Sequence, residues 1–367
     1  MSSNPQPTSL EQTVALALQH HRAGDLAKAE GLYRQVLQAD PDQPAALHLL
    51  GVVAHQVGDS AAAAELIGKA LANKPDYIDA HNDLGLVLRE LGRLGEAEAC
   101  YHKVLKLKPD HADAHYNLGI VLQELGRLEE AVLHYHKTIH IRPGFAVAHY
   151  NLGVALKELG RLDEAVEQYR KTIDVDPGND EAHNNLGTAL LEQEHLDEAI
   201  ENFRKAISIN PDNAEAHSNL GTALQEDARP DEAARSYQMA IEIDPTNAEA
   251  HNNLGTVLQE RGQLDQAIAH FRRAVDVNAT YAEAFNNLGS AQLQSGRLQA
   301  AMENFHRAIE IKPDFIEATY DLGNALLQAG QHHEGLEFKR KAKGVVEFRN
   351  ENNDEFTIQG GLKRVGK

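Results

Sequence analysis

Apolar and small residues recur along this chain at a fixed interval. The dipeptide Leu-Gly stands at Leu50-Gly51, Leu84-Gly85, Leu118-Gly119 and onward to Leu322-Gly323, nine copies in steps of 34 residues. With Leu-Gly set as positions 7 and 8, units begin at Leu10, Pro44, Ile78, Ala112, Ala146, Asp180, Ala214, Ala248, Ala282 and Ile316. Positions 4, 7, 8 and 11 share one face of a helix, and positions 17, 20, 24 and 27 share one face of a second. Each unit therefore predicts two helices, A and B.

The residue classes agree with that reading. Position 20 is Ala in nine units, from Ala29 to Ala301, position 24 is aromatic in eight, and position 32 is Pro in eight. Small residues at positions 8 and 20 let helices A and B pack closely, and the aromatic is expected to fill the gap between neighbouring units. Between the helices runs Gly-Arg-Leu-x-Glu-Ala, as in Gly126-Arg127-Leu128-Glu129-Glu130-Ala131. Glycine there can take positive φ and end helix A. The Glu near the start of helix B suits the helix dipole. Asn213 and Asn247 stand where an N-cap of helix A is needed. Proline at position 32 ends helix B or follows its end. One such pair cannot bury its apolar face alone, so the units must stack.

The 34-residue period, the Leu-Gly pair, the Ala, the aromatic and the Pro together resemble the tetratricopeptide repeat family. The resemblance implies an all-α fold, a right-handed α-solenoid superhelix of antiparallel helix pairs with a concave inner wall. It covers residues 10–343 as about ten repeats. Position 4, often bulky in the family, is usually His here. The last unit is degenerate, with His332 in place of Leu and Gly335 in place of Ala. Residues 1–9 read as a polar N-terminal segment, and residues 344–367, with Gly360-Gly361, as a polar and basic mobile tail.

Composition narrows the function. The chain has no Trp and only 5% aromatic residues, which suits thin helix–helix interfaces better than one deep core. A net charge of −20 repels phosphate backbones and anionic lipid heads. Only the stretch from Lys339 to Lys367 runs the other way, with eight Lys or Arg against four Asp or Glu. The single cysteine, Cys100, allows no intrachain disulfide and no CxxC metal knuckle. The N-terminus lacks an apolar signal-peptide core, and no apolar run is long enough to span a membrane. A cytoplasmic location is expected.

Six units carry His at position 4, from His81 to His251. Helix pairs stacked about 10 Å apart cannot bring them to one ion, whose ligands lie about 2 Å away. They read as packing residues, and neither metal nor cofactor is expected. Position 6 is different. It holds Asn117, Asn151, Asn185, Asn219, Asn253 and Asn287, flanked by Asp83 and Asp321. This position lies with positions 2, 5, 9 and 13 away from the packing stripe. An amide there can both donate to and accept from a peptide group, so a regular ladder can hold an extended chain by its backbone. The competing reading makes these asparagines braces between neighbouring helices.

The ladder also resembles the repeat domain of the O-linked N-acetylglucosamine transferases, in which such asparagines hold substrate peptides. The phrases His183-Asn184-Asn185-Leu186-Gly187 and His251-Asn252-Asn253-Leu254-Gly255 carry that likeness. The several-hundred-residue catalytic half of those enzymes has no counterpart in this sequence, and GxSxG, HExxH, Walker A and GxGxxG motifs are absent. The expectation is a non-enzymatic scaffold that binds an extended, neutral to basic protein or peptide segment. It binds neither nucleic acid nor membrane. The substrate-targeting portion of a peptide glycosyltransferase is the alternative. Self-association through the terminal repeats is a third reading.

Overall fold

The A and B helices expected from the period are present in every unit. The structure, a computed structural model, describes residues 9–343. The expectations for residues 1–8 and for the tail from residue 344 fall outside the described residues. In chain order the first helices are α1 (Leu10–Arg22), α2 (Leu26–Ala39), α3 (Pro44–Gln56), α4 (Ser60–Asn73), α5 (Ile78–Glu90) and α6 (Leu94–Leu107). They continue as α7 (Ala112–Glu124), α8 (Leu128–Ile141), α9 (Ala146–Glu158), α10 (Leu162–Val175), α11 (Asp180–Glu192) and α12 (Leu196–Ile209). Then follow α13 (Ala214–Glu226), α14 (Pro230–Ile243), α15 (Ala248–Glu260) and α16 (Leu264–Val277). The last are α17 (Ala282–Gln294), α18 (Leu298–Ile311), α19 (Ile316–Gln328) and α20 (His332–Lys343). Helix A thus fills positions 1–13 and helix B positions 17–30, with proline two residues beyond the end of B. Among the described residues no helix is long and apolar enough to cross a membrane.

Two compact units divide the chain, residues up to Ala189 and residues from Leu190 on, the division falling inside α11. Each is a solenoid of paired helices. In the first, α2 packs between α1 and α3, and the order repeats to α10. In the second, it runs in the same way from α12 to α20. A helices also touch directly, α3 on α5 and α7 on α9 in one unit, α13 on α15 and α17 on α19 in the other. They therefore form one continuous face in each unit.

The core repeats with the sequence. In the first unit Ala17, Ala29, Tyr33 and Val36 of one repeat cluster with Ala46, Leu50 and Val53 of the next. In the second, Ala301, Met302 and Phe305 cluster with Leu322, Ala325 and Leu326. The aromatic at position 24 does bridge neighbouring repeats, and its ring also lies on the glycine at position 8 of its own repeat. A Cβ on Gly119 would stand 2.6 Å from Tyr135 Cε1, and one on Gly255 2.7 Å from Phe271 Cε1. The last pair closes further still: a Cβ on Gly335 would meet the Gly323 carbonyl at 2.9 Å, so α19 and α20 approach backbone to backbone where the usual Ala is missing.

Helix termini follow local chemistry. Asn213 and Asn247 accept from the backbone N–H of Ala216 and Ala250 at 2.9 and 2.8 Å, the caps expected from sequence. Among the B helices, α2 and α4 are capped by Asp25 and Asp59, and several others have a different device. Arg127 at the N-cap of α8 makes no capping bond and instead grips Glu130 with Nε and Nη2 at 2.7 Å each. Arg93–Glu96, Arg161–Glu164 and Arg229–Glu232 repeat the pair. These hydrogen bonds hold the carboxyls of Glu96, Glu130 and Glu164 below their ordinary range.

Between A and B, position 15 takes the left-handed conformation, with eight glycines at φ between 72° and 89°. Glu194 and Ala228 occupy the same place in their repeats at φ 61° and 56°. A Cβ in this region costs about 1–2 kcal/mol, against roughly 0.5–1 kcal/mol for the extra unfolded-state freedom of glycine. Ala228→Gly and Glu194→Gly are therefore expected to stabilise the protein, each by about 0.5–1 kcal/mol. A rise in melting temperature for each checks this, and a fall would show that the loop is not strained.

Candidate functional site

The burial pattern separates two sides of helix A. From the fourth repeat on positions 7 and 8 are buried, as at Leu118-Gly119 and Leu288-Gly289, while position 6 stays half-buried and the glutamates at position 13 are exposed. Asp83, Asn117, Asn151 and Asn185 in the first unit, and Asn219, Asn253, Asn287 and Asp321 in the second, thus each lie half-buried on the A-helix face of their own unit.

Most of these residues are tied to the preceding repeat. Asn151 Nδ2 donates to Tyr116 Oη at 3.0 Å, and Asn185 Nδ2 to Tyr150 Oη at 2.9 Å. Asn117 reaches Asn82 Oδ1 at 3.5 Å, and Asn287 reaches Asn252 Oδ1 at 2.9 Å. Asp83 pairs with His48 Nε2 at 2.7 Å. Every one of these rungs joins position 6 to position 5 of the repeat before, 35 residues back. The bracing reading of the asparagines is therefore a direct feature of the structure. Each of the four asparagine bonds uses one N–H of the position-6 amide and leaves that amide's carbonyl and second N–H outside it. A braced amide is also a fixed one, since its rotamer is set by the neighbouring repeat. Burial raises the Asp321 carboxyl, with Glu317 nearby adding to the shift.

A second set of rungs runs alongside. His21 meets Gln56 at 2.8 Å, His55 meets Glu90 at 3.4 Å, Arg89 meets Glu124 at 3.7 Å, and Gln123 donates to Glu158 at 3.2 Å. These join position 12 of one repeat to position 13 of the next. In the first unit the position-13 carboxylates are partly spoken for by their neighbours. At position 2, Asp113 pairs with Arg142 at 3.0 Å and Glu283 with Lys312 at 2.9 Å. The acidic character expected from sequence is thus reduced by these pairs. The second-unit glutamates Glu226 and Glu260 have no ion-pair partner among the described residues.

The position-4 histidines do a local job. His81, His115, His149, His217 and His251 each direct Nε2 at the carbonyl of the proline six residues back, at 2.9–3.3 Å. They pin the loop between repeats to helix A. The opposite ring nitrogen of His115 meets His134 Nδ1 at 2.9 Å, where the next repeat has His149 bonded to Gln168 Oε1 at 2.8 Å. His251 and His270 repeat the two-histidine version at 3.1 Å.

Burial pushes the His134 imidazole from 6.5 down to about 4, with His115 adding to the shift. Above pH 6.5 both folded and unfolded forms are neutral. As pH falls toward 4 the unfolded chain takes a proton that the folded one refuses, so stability falls across that window. His134→Gln, which copies the His149–Gln168 pair, is expected to flatten the fall in melting temperature between about pH 7 and pH 5.5. An unchanged slope would place the pH response elsewhere.

Known proteins agree with the repeat geometry. Family models described as TPR repeat match residues 85–126, 155–194 and 187–227. Models described as tetratricopeptide repeat match residues 20–84 and 292–338, 112–145, 214–247 and 246–314. No curated protein matches the chain. Among solved structures the chain is similar to PilF of Pseudomonas aeruginosa, at 20% identity and a TM-score of 0.52, over 60% of this chain and 97% of that one. YrrB, described as a TPR protein with an unusual peptide-binding site, is 26% identical with a TM-score of 0.43, over 54% of this chain and 97% of its own. MamA is 29% identical with a TM-score of 0.41, over 43% and 92%.

Proposed function

The chain belongs to the tetratricopeptide repeat family and is a protein-interaction scaffold, and we propose that it holds an extended, neutral to basic peptide segment along its A-helix face. One observation carries the proposal. Four of the position-6 asparagines, Asn117, Asn151, Asn185 and Asn287, are each fixed by a single N–H to the repeat before. Their remaining donor and acceptor are pre-organised for a peptide group, which lowers the ordering cost of binding. A backbone-directed ladder tolerates many side chains, so selectivity must come from the flanking positions. There the unpaired carboxylates of Glu226 and Glu260 disfavour acidic segments.

Panning a displayed dodecapeptide library against the full chain tests this reading. The expected outcome is enrichment of peptides poor in Asp and Glu, whose affinity weakens with added salt. Enrichment of acidic peptides, or of none, would contradict it.

A further inference from the structure

Inside the first unit the A-helix face carries a second row beside the asparagines. Position 9 is Leu18, Val52, Leu86, Ile120 and Val154, one apolar side chain from each A helix from α1 to α9. All five are half-buried, so each keeps part of its surface open. From Thr188 onward the position is polar, and the Thr222 and Thr256 hydroxyls donate to the Ser218 and Asn252 carbonyls at 3.3 and 3.2 Å. Four rungs, His48–Asp83, Asn82–Asn117, Tyr116–Asn151 and Tyr150–Asn185, tie the successive A helices from α3 to α11. The apolar row therefore recurs at the spacing of packed helices, about 8–10 Å.

That spacing discriminates between ligand conformations. A β-strand presents the same face every two residues, about 6.6 Å. An α-helix does so every turn, about 5.4 Å, and its backbone groups are already bonded to one another. A polyproline II helix has three residues per turn and a rise of about 3.1 Å, so one face recurs about every 9 Å. Its backbone groups make no internal hydrogen bonds and stay available to the braced amides. Aromatic side chains are the surface on which such helices lie. Tyr116 and Tyr150 stand one helical turn before Ile120 and Val154, half-buried, with their hydroxyls held by Asn151 and Asn185. Charge completes the match. Asp83, Glu90, Glu124 and Asp113 are paired with His48, His55, Arg89 and Arg142 at 2.7–3.7 Å. A charged side chain gains little from carboxylates already partnered and loses hydration, so the complementary segment is uncharged where it meets the row.

We infer that the first unit holds its ligand as a polyproline II helix with an apolar side chain at every third residue, each seated against one position-9 residue. This rests on the reading of the A-helix face as a peptide groove. It adds the conformation and the sequence period that a backbone-held ladder alone leaves open.

Three pentadecapeptides, titrated calorimetrically into the full chain, test the period. One repeats Leu-Pro-Pro. Its isomer has the same residues with the leucines separated by two and four positions in turn. The third alternates Leu and Thr, the same-face spacing of a strand. The expected result is binding of the first at least about tenfold tighter than either of the others. Ile120→Thr with Val154→Thr, which installs the residue of the later repeats, should remove about tenfold of that affinity while circular dichroism of the chain stays unchanged. The contrast between isomers uses the wild type alone, so it decides even where the double variant loses helix. Equal affinity for the two isomers, or tighter binding of the alternating peptide, would overturn the proposal. The groove reading fails separately. A library-selected peptide that loses affinity with Asn151→Ala and Asn185→Ala, beside isomers that bind alike, removes the period and leaves the groove. A preference for Leu-Pro-Pro untouched by both the threonine and the alanine changes places the binding off this face and removes both readings.

Discussion

Phe271→Ala is expected to cost roughly 3–5 kcal/mol of stability, the largest effect of any single truncation considered for this chain. The ring is fully buried and rests on Gly255, where a Cβ would come within 2.7 Å. Removing it leaves a cavity at the junction of α15 and α16, in a fold whose cooperativity comes only from neighbouring contacts. The complementary change, Gly255→Ala, should overpack the same contact by about 1–3 kcal/mol. The two defects oppose one another in volume. Their combination should therefore be less harmful than the sum, with a coupling of about 1 kcal/mol or more. Chemical denaturation of the three variants measures this. Strict additivity would show that Gly255 and Phe271 do not share a contact.

That contact illustrates what the sequence makes visible. The glycine and the aromatic recur in step with the period, and their constancy of size already implies a close approach. Helix bounds were equally legible because the period, the caps at Asn213 and Asn247, and the punctuating glycines and prolines all act within a few residues. The braces were harder to read. A bond from Asn151 to Tyr116 joins residues 35 apart on different helices, and no local rule links them. The signal lies in a coincidence of two positions, since position 5 carries a polar side chain, His, Asn or Tyr, wherever a rung forms. The position-4 histidines are legible from sequence as packing residues. Their hydrogen bond to the proline carbonyl six residues back depends on loop geometry that periodicity does not carry.

The second large effect is on binding. Asn151, Asn185, Asn219 and Asn253 changed together to Ala are expected to weaken a groove-bound peptide by about 2–6 kcal/mol, if each amide contributes about 0.5–1.5 kcal/mol. Neighbouring terms are rarely additive, so the lower part of that range is the working value. The same change removes braces, because Asn151 and Asn185 hold Tyr116 and Tyr150. Alanine favours helix more than asparagine does, which offsets part of that loss. Binding and bracing must therefore be separated. Tyr116→Phe with Tyr150→Phe breaks two rungs from the acceptor side and leaves every ladder amide in place. If the asparagines serve only as braces, the two sets of variants should perturb binding alike.

The deciding measurement is calorimetric titration of one library-selected peptide against wild type, the fourfold Asn→Ala variant and the Tyr116→Phe, Tyr150→Phe variant, with circular dichroism confirming the fold of each. The account expects at least about a thirtyfold loss of affinity in the asparagine variant. It expects a change of no more than about threefold in the tyrosine variant, which should lose stability instead. Unchanged affinity in a well-folded asparagine variant, or equal losses in both, would contradict the account and leave these residues as structural braces.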